Sequence, residues 1–270
     1  MSTSPLDALH ARLASFDSAL LGYSGGVDSA LLAVVGARAL GPGRFLAVIG
    51  RSPSYPDAQW QVAREIAARF DVPVREVDTR EMDDPNYRAN PTNRCYFCKS
   101  ELWRRLGDVA AALGFAAILD GTNADDLGEH RPGLRAAEER QVRSPLAELG
   151  WTKAMVREAA RALDIPVWDA PSSPCLSSRI AYGLRITDER LRQVEAGEAW
   201  LRRLGVTGDL RVRHHGERVR IEVSPPEIPL VERAWDAVTA RFRELGMADV
   251  ELDPRGYRRG SLLTVLPVGS

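Results

Sequence analysis

The stretch "YSGGVDSALL", residues 23–32, sets two glycines and two serines between an apolar run and a run with helical spacing. The apolar run, "SALLGY" (18–23), reads as a strand, and "DSALLAVVGARAL" (28–40) repeats its apolar residues at helical intervals. Gly25 and Gly26 thus fall where a strand turns into a helix. Backbone N–H groups can approach an anion there with no Cβ in the way. Ser24 and Ser29 add hydroxyl donors, and Asp28, in the first helical turn, is a carboxylate suited to a Mg2+ bridging phosphate oxygens. The pattern G-x-x-x-x-G-K-[ST] is absent and no lysine accompanies the glycines, so this is a phosphate cradle of another kind. Its bland counterpart, a glycine-rich turn with a serine cap, accounts less well for the whole hexapeptide at a strand–helix junction.

Outward from this junction the alternation continues. "RFLAVIG" (44–50), "VPVREVD" (72–78) and "FAAILDG" (115–121) read as further strands, with helices over 55–70 and 99–114 between them. Two of the helical runs end at a glycine, as helix stops do. Alternation of this kind predicts an α/β fold, a parallel sheet with helices on both faces and ligands beyond the carboxyl ends of its strands. Residues 79–98 and 122–150 lack clear periodicity, and connections this long are expected to border a site. A helix over 152–163 leads to "DAPSSPCLSSRI" (169–180), too rich in proline for a helix. The pattern then changes: a helix over 187–204, strands "DLRVRHH" and "ERVRIEV" around His215-Gly216, one helix over 227–244, and short strands near 249 and 262. These predict a smaller C-terminal α+β domain, with residues 1–184 forming the first domain and 185–270 the second.

The 270 residues carry 36 Lys and Arg against 37 Asp and Glu, so nothing suggests a polyanion-binding surface, and long nucleic acid is not an expected partner. No apolar run approaches the roughly 18 residues that span a bilayer, and no basic-then-apolar leader opens the chain, so no membrane association and a cytoplasmic location are expected. Three cysteines argue against a disulfide framework. Cys95 and Cys98, in "NRCYFCKSEL", have C-x-x-C spacing at the opening of a helix, whose dipole favours thiolates. With Cys175 they count three. A structural zinc site wants four ligands, and His10, His130, His214 and His215 show no paired ligand spacing. Three thiolates can instead hold a [4Fe–4S] cluster with one iron open, or a C-x-x-C pair can service a separate reactive thiol. Three small buried hydrophobes are the bland alternative. Arg211 and Arg213, two apart on a strand, share a face and can fork onto a phosphate or carboxylate; Arg179 closely follows the cysteine loop. Solvated strand arginines are equally common.

"SGGVDS" resembles the signature of the PP-loop ATP pyrophosphatases (adenine nucleotide alpha hydrolase-like), which transfer AMP from ATP to a substrate oxygen and release pyrophosphate. The resemblance implies ATP and Mg2+ as cofactors, with Ser24, Gly25, Gly26, Asp28 and Ser29 at the phosphates. "DGTNADD" (120–126), otherwise an Asx-rich helix cap, then implies ATP and Mg2+ contacts from Thr122, Asn123 and Asp125. Taken in order, "SGGVDS", "NRCYFCKSEL", "DGTNADD", "DAPSSPCLSSRI" and "LRVRHHGERVRIEV" resemble the LarE family over nearly the full length. That family inserts sulfur during synthesis of the nickel-pincer nucleotide cofactor of lactate racemase, adenylating the carboxylates of pyridinium-3,5-dicarboxylate mononucleotide and converting them to thiocarboxylates. The resemblance implies a nucleotide substrate held by Arg211 and Arg213, a homo-oligomer (a hexamer), and a sulfur-donor protein or sulfide as partner. It gives Cys175 one of two roles: sacrificing its own sulfur to become dehydroalanine, or ligating a [4Fe–4S] cluster with Cys95 and Cys98. A PP-loop tRNA thiolase, an ammonia-dependent amidating synthetase and a non-catalytic nucleotide-binding module are the competing readings.

Overall fold

The apolar runs of the first two thirds form a parallel sheet, as their alternation with helices predicts. In the computed structural model, which describes residues 4–127, 132–171 and 173–258, the chain runs α1 (Pro5–Ala14), β1 (Ala19–Gly22), α2 (Val27–Leu40), β2 (Phe45–Arg51), α3 (Asp57–Arg69) and β3 (Val74–Asp78). It continues through α4 (Pro85–Arg88), α5 (Arg94–Leu113), β4 (Ala117–Leu119), α6 (Pro132–Glu139), α7 (Pro145–Glu148) and α8 (Lys153–Ala162). Beyond these come α9 (Asp188–Leu204), β5 (Leu210–His214), β6 (Arg218–Val223), α10 (Ile228–Arg233), α11 (Trp235–Glu244) and β7 (Asp249–Leu252). The strand expected near 262 and His130 lie outside the described residues. Among the described residues no helix is long and apolar enough to cross a membrane.

Two compact units share the chain: Met1–Glu81 with Asn93–Ala170, and Met82–Thr92 with Pro171 onward. In the first, the strand order is β3-β2-β1-β4, all parallel. Side chains alternate across the sheet: Leu21, Ala47 and Ile49 join a core with α1, α2, α3 and α8, whereas Leu20 and Val48 join Trp103, Leu106 and Ala137 of α5 and α6. With both faces covered the strands read as continuous apolar runs. Helix α2 is buried on nearly every side, Ala30–Val34 being fully enclosed, which is why its sequence shows so little polar face. Truncating one of these leucines to alanine costs about 2–5 kcal/mol. Order runs outward from β1 to β3 and then jumps to β4 on the other side of β1, so the direction of winding reverses between β1 and β4. Ligands of open parallel sheets bind at such a point.

The second unit differs from the expected 185–270 domain in where it starts and in a segment it takes from earlier in the chain. Its sheet, β5-β6-β7, pairs β5 with β6 antiparallel and β6 with β7 parallel. Val212 and Ile221 are enclosed on one face, Val212 touching the side where Gly197 of α9 meets Phe242. The division falls after Ala170, not near 184, and it takes in residues 82–92 because hydrogen bonds bind that segment to 177–186. The Asn90 amide donates to the carbonyls of Ile180, Ala181 and Leu184, at 3.3, 2.8 and 3.0 Å. Gly183 and Ile186 donate N–H groups to Asn90 and Arg88. The single helix expected over 227–244 is two, α10 and α11, since Ala234 leaves helical geometry and donates its N–H to the Val231 carbonyl. Within residues 79–98 and 122–150, expected to be irregular, α4, α6 and α7 and the first turns of α5 are helical.

Candidate active site

The loop after β1 is set by Gly25, whose φ of +71° is left-handed and whose added Cβ would lie 2.8 Å from the Cβ of Ala63 on α3. Only glycine fits both demands. Gly26 caps α2 through its backbone with no side-chain bond, leaving the first N–H groups of that helix without intrahelical acceptors. The Ser29 hydroxyl donates to the Gly26 carbonyl at 3.0 Å and accepts from the Ser24 N–H at 3.3 Å, so it closes the loop on itself instead of serving as an outward donor. Ser24 Oγ lies 3.2 Å from Ser29 Oγ. The Ser24 carbonyl accepts from Tyr55 Oη at 3.0 Å and Gln59 Nε2 at 2.7 Å.

The segment after β4 comes to the same place. Gly121 passes so close to α2 that an added Cβ would meet Ser29 N at 3.1 Å and Asp28 Cβ at 3.2 Å. Asn123 Nδ2 donates to Asp28 Oδ1 at 3.1 Å, and the Asp125 carboxylate accepts the Lys153 N–H at 2.8 Å. Thr122 is turned inward: its hydroxyl donates to buried Asp120, which also accepts from Ser144, and this fixes the loop. Lys153, at the start of α8, places Nζ 2.5 Å from Asp28 Oδ2. Sequence reading found no lysine for the cradle because this one stands 125 residues from Asp28, with no local pattern to announce it. Among the described residues each Asp28 oxygen accepts one hydrogen bond and keeps a lone pair, so the carboxylate could take a Mg2+ alongside phosphate and water ligands. Bound there, Mg2+ would neutralise phosphate charge.

In the second unit the cysteine loop is pinned by its carbonyls. That of Cys175 accepts from Ser178 N at 3.0 Å, Ser178 Oγ at 2.7 Å and Arg179 Nη1 at 3.0 Å, and Pro174 O accepts a further short bond from Arg179 Nη1. Arg179, 2% exposed, forks onto both oxygens of Glu198 at 2.9 and 3.0 Å. Burial opposes its charge, but Glu198 outweighs burial and holds its pKa above the ordinary value. Most N–H groups of Arg179 are thus used inside the protein, so it braces the cysteine loop where the sequence suggested a substrate ligand.

Arg211 and Arg213 do share a face of β5, opposite that of Val212. Arg213 donates to Glu222 Oε2 at 3.0 Å and to the Ser178 carbonyl at 3.0 Å. Arg211 lies 5.1 Å over the Tyr257 ring, and burial followed by the charge of Arg179 lowers its pKa. Both are buried, at 4% and 6% exposure, which sets aside the solvated-face alternative. His214 is a core residue: its Nδ1 accepts from Gly216 N and its Nε2 meets Gln193 Oε1 at 3.0 Å. Glu198, Glu222 and Tyr257 carried no sequence signal; each acts through an arginine on a different element.

Cys95 and Cys98 sit in the opening turns of α5, exposed and half-buried, in the first unit, whereas Cys175 belongs to the second. Among the described residues no group of three or more His, Cys, Asp or Glu side chains is gathered to hold a metal ion. Neither unit by itself fits a three-thiolate cluster.

A family model described as NAD synthase matches residues 8–95, which include the loop after β1. An uncharacterised protein of Synechocystis sp. is 43% identical over 268 residues, 98% of this chain and 99% of that protein. An uncharacterised protein of Methanocaldococcus jannaschii is 28% identical over 241 residues, 88% of this chain and 90% of its own. The pyridinium-3,5-bisthiocarboxylic acid mononucleotide synthase of Lactiplantibacillus plantarum is 33% identical over 254 residues, 94% of this chain and 92% of its own. Likeness at that level through both units, with the glycine loop at the winding reversal, means that the chain belongs to the LarE family of the PP-loop superfamily.

Proposed function

We propose that the chain is an ATP-dependent sulfur transferase that adenylates the carboxylates of pyridinium-3,5-dicarboxylate mononucleotide and converts them to thiocarboxylates, a step in making the nickel-pincer cofactor. The observation that carries the reading is the convergence of Asn123 and Lys153, the latter's backbone N–H held by Asp125, on Asp28 of the Ser24–Ser29 loop at the switch point of the sheet. The family relation supplies the substrate class. Backbone N–H groups at the start of α2 and the Lys153 ammonium bind the phosphates, and Asp28 would hold a Mg2+ that neutralises their charge. A substrate carboxylate oxygen attacks the α-phosphorus and pyrophosphate leaves. AMP then makes that oxygen a good leaving group, and sulfur replaces it at the acyl carbon.

On the substrate side, Arg211 and Arg213 offer planar guanidinium groups to phosphate or carboxylate, a geometry that favours paired hydrogen bonds. Sulfur is delivered at Cys175, whose backbone is held still by Ser178 and Arg179. The test is an incubation with ATP, Mg2+ and the dicarboxylate nucleotide. AMP and pyrophosphate should rise only with substrate present, and the product should show oxygen exchanged for sulfur. Ammonia-dependent amide formation in place of that exchange would assign an amidating synthetase instead. The mass of the chain after one turnover separates the two sulfur routes. Loss of the elements of hydrogen sulfide at 175 means that Cys175 gave its own sulfur. An intact Cys175 together with about four irons per chain assigns it to a cluster with Cys95 and Cys98.

A further inference from the structure

Gly25 creates a problem that Gly25 cannot solve. A glycine with positive φ lets the peptide before it rotate at little cost, so the Ser24–Gly25 peptide can turn either its carbonyl or its N–H toward a bound anion. The carbonyl would repel phosphate; the N–H would bind it. Because the two groups of a trans peptide point in opposite directions, whatever holds the carbonyl also aims the N–H. Two side chains hold it here, Tyr55 Oη at 3.0 Å and Gln59 Nε2 at 2.7 Å, both donating to Ser24 O. Both come from the same element, the start of α3 and the turn leading into it.

We propose that Tyr55 and Gln59 are positioning residues that lock the Ser24 carbonyl against α3 and so present the Gly25 N–H to the phosphates. The inference rests on the ATP reading above. Ala63, one helical turn beyond Gln59, completes the support: it packs under Gly25, and its carbonyl accepts the Tyr23 hydroxyl at 2.9 Å. Among the described residues the Gly25 N–H has no acceptor within the protein, as a donor reserved for a ligand requires. Burial raises the Tyr55 phenol well above its ordinary pKa, so it stays a donor across the working pH range. Neither residue belongs to the glycine motif, and neither needs to touch ATP.

The test is calorimetric titration of the full chain with Mg2+-pyrophosphate and, separately, with adenosine, for the wild type, Tyr55→Phe, Gln59→Leu and the double variant. Each single variant should bind pyrophosphate several-fold more weakly, and the double variant about tenfold to fiftyfold, with adenosine binding unchanged within about twofold. In the wild type the Gly25 amide resonance should shift downfield on adding pyrophosphate; in the double variant that shift should shrink. Wild-type pyrophosphate affinity in the double variant would overturn the proposal. So would equal loss of adenosine and pyrophosphate binding accompanied by a lowered melting temperature, which would mark a purely structural role. Tyr55→Phe keeps the ring and its packing, so it still reports if the double variant fails to fold. A wild-type chain that binds no pyrophosphate would overturn the ATP reading itself, a different failure.

Discussion

At the end of β1 the donors are backbone N–H groups and one lysine, 39% exposed, whose partner Asp28 is 19% exposed. On β5 they are arginines only 4% and 6% exposed, and the carboxylate bracing Arg213 is 1% exposed. The first arrangement keeps its charge near water, where an ammonium can leave Asp28 for a phosphate at small desolvation cost. The second has already taken its charges out of water, and buried Glu222 holds the Arg213 guanidinium in a fixed geometry. A region of the first kind suits a ligand that must enter, react and depart as pyrophosphate. A region of the second kind suits selection of one anionic substrate by shape, because a misplaced anion leaves buried groups unpaired.

The sharpest way to break this division of labour is at the sulfur. Cys175→Ser should cut thiocarboxylate formation by more than about a thousandfold while substrate-dependent pyrophosphate release persists, as followed by product mass and a pyrophosphate assay. Loss of both together would show that the two halves of the reaction are not separable in this way. Next in size, Arg213→Ala should weaken the dicarboxylate nucleotide about a hundredfold, since it also removes a cation bonded to buried Glu222, and should change ATP binding by less than about threefold. Parallel titrations with the two ligands check it, and equal loss of both would point to a folding defect.

A smaller effect concerns β5 itself. Burial first, then Arg190 and His215, push His214 from 6.5 down to about 4. Above pH 6.5 the imidazole is neutral in both folded and unfolded chains; between 6.5 and 4 only the unfolded chain takes up the proton. Stability should therefore fall by about 2 kcal/mol as pH drops through that window, a slope that denaturant titration detects and that His214→Gln should flatten. Smallest is Lys153→Met, which should raise the KM for ATP roughly tenfold with little change in melting temperature, since the pair it breaks is partly exposed. A hundredfold rise with marked destabilisation would place Lys153 with the fixed charges of β5 and erase the contrast.

The parts legible in the sequence are those whose cause is local. Strand and helix periodicity around "YSGGVDSALL" reports burial on a sheet, and the glycine pair reports a turn that only glycine makes, so the sheet and its loop could be read directly. Periodicity alone starts α5 at 99, because its first turns carry Cys95, Cys98 and aromatic residues in place of the apolar spacing that begins further on; only the C-x-x-C pair points to the helix opening there. Ser29 reads as an outward donor by its type, and the family resemblance gives Thr122 ATP and Mg2+ contacts, yet their hydroxyls are spent inside the loops, a choice that depends on where Asp120 and the Gly26 carbonyl lie. Lys153 and Glu198 were illegible for the complementary reason. Each is ordinary in its own helix and becomes functional only through a partner distant in sequence.

The excursion of residues 82–92 bears on how the chain can be divided. Three peptide junctions, not one, link the two units, and a fragment beginning at 171 would lack the Asn90 amide that serves Ile180, Ala181 and Leu184. The turn leaving the cysteine loop would then unravel with nothing altered within the fragment itself. The second unit is therefore a poor candidate for independent expression, exchange or grafting unless those eleven residues travel with it, and insertions at 82–92 would be felt first at the cysteine loop.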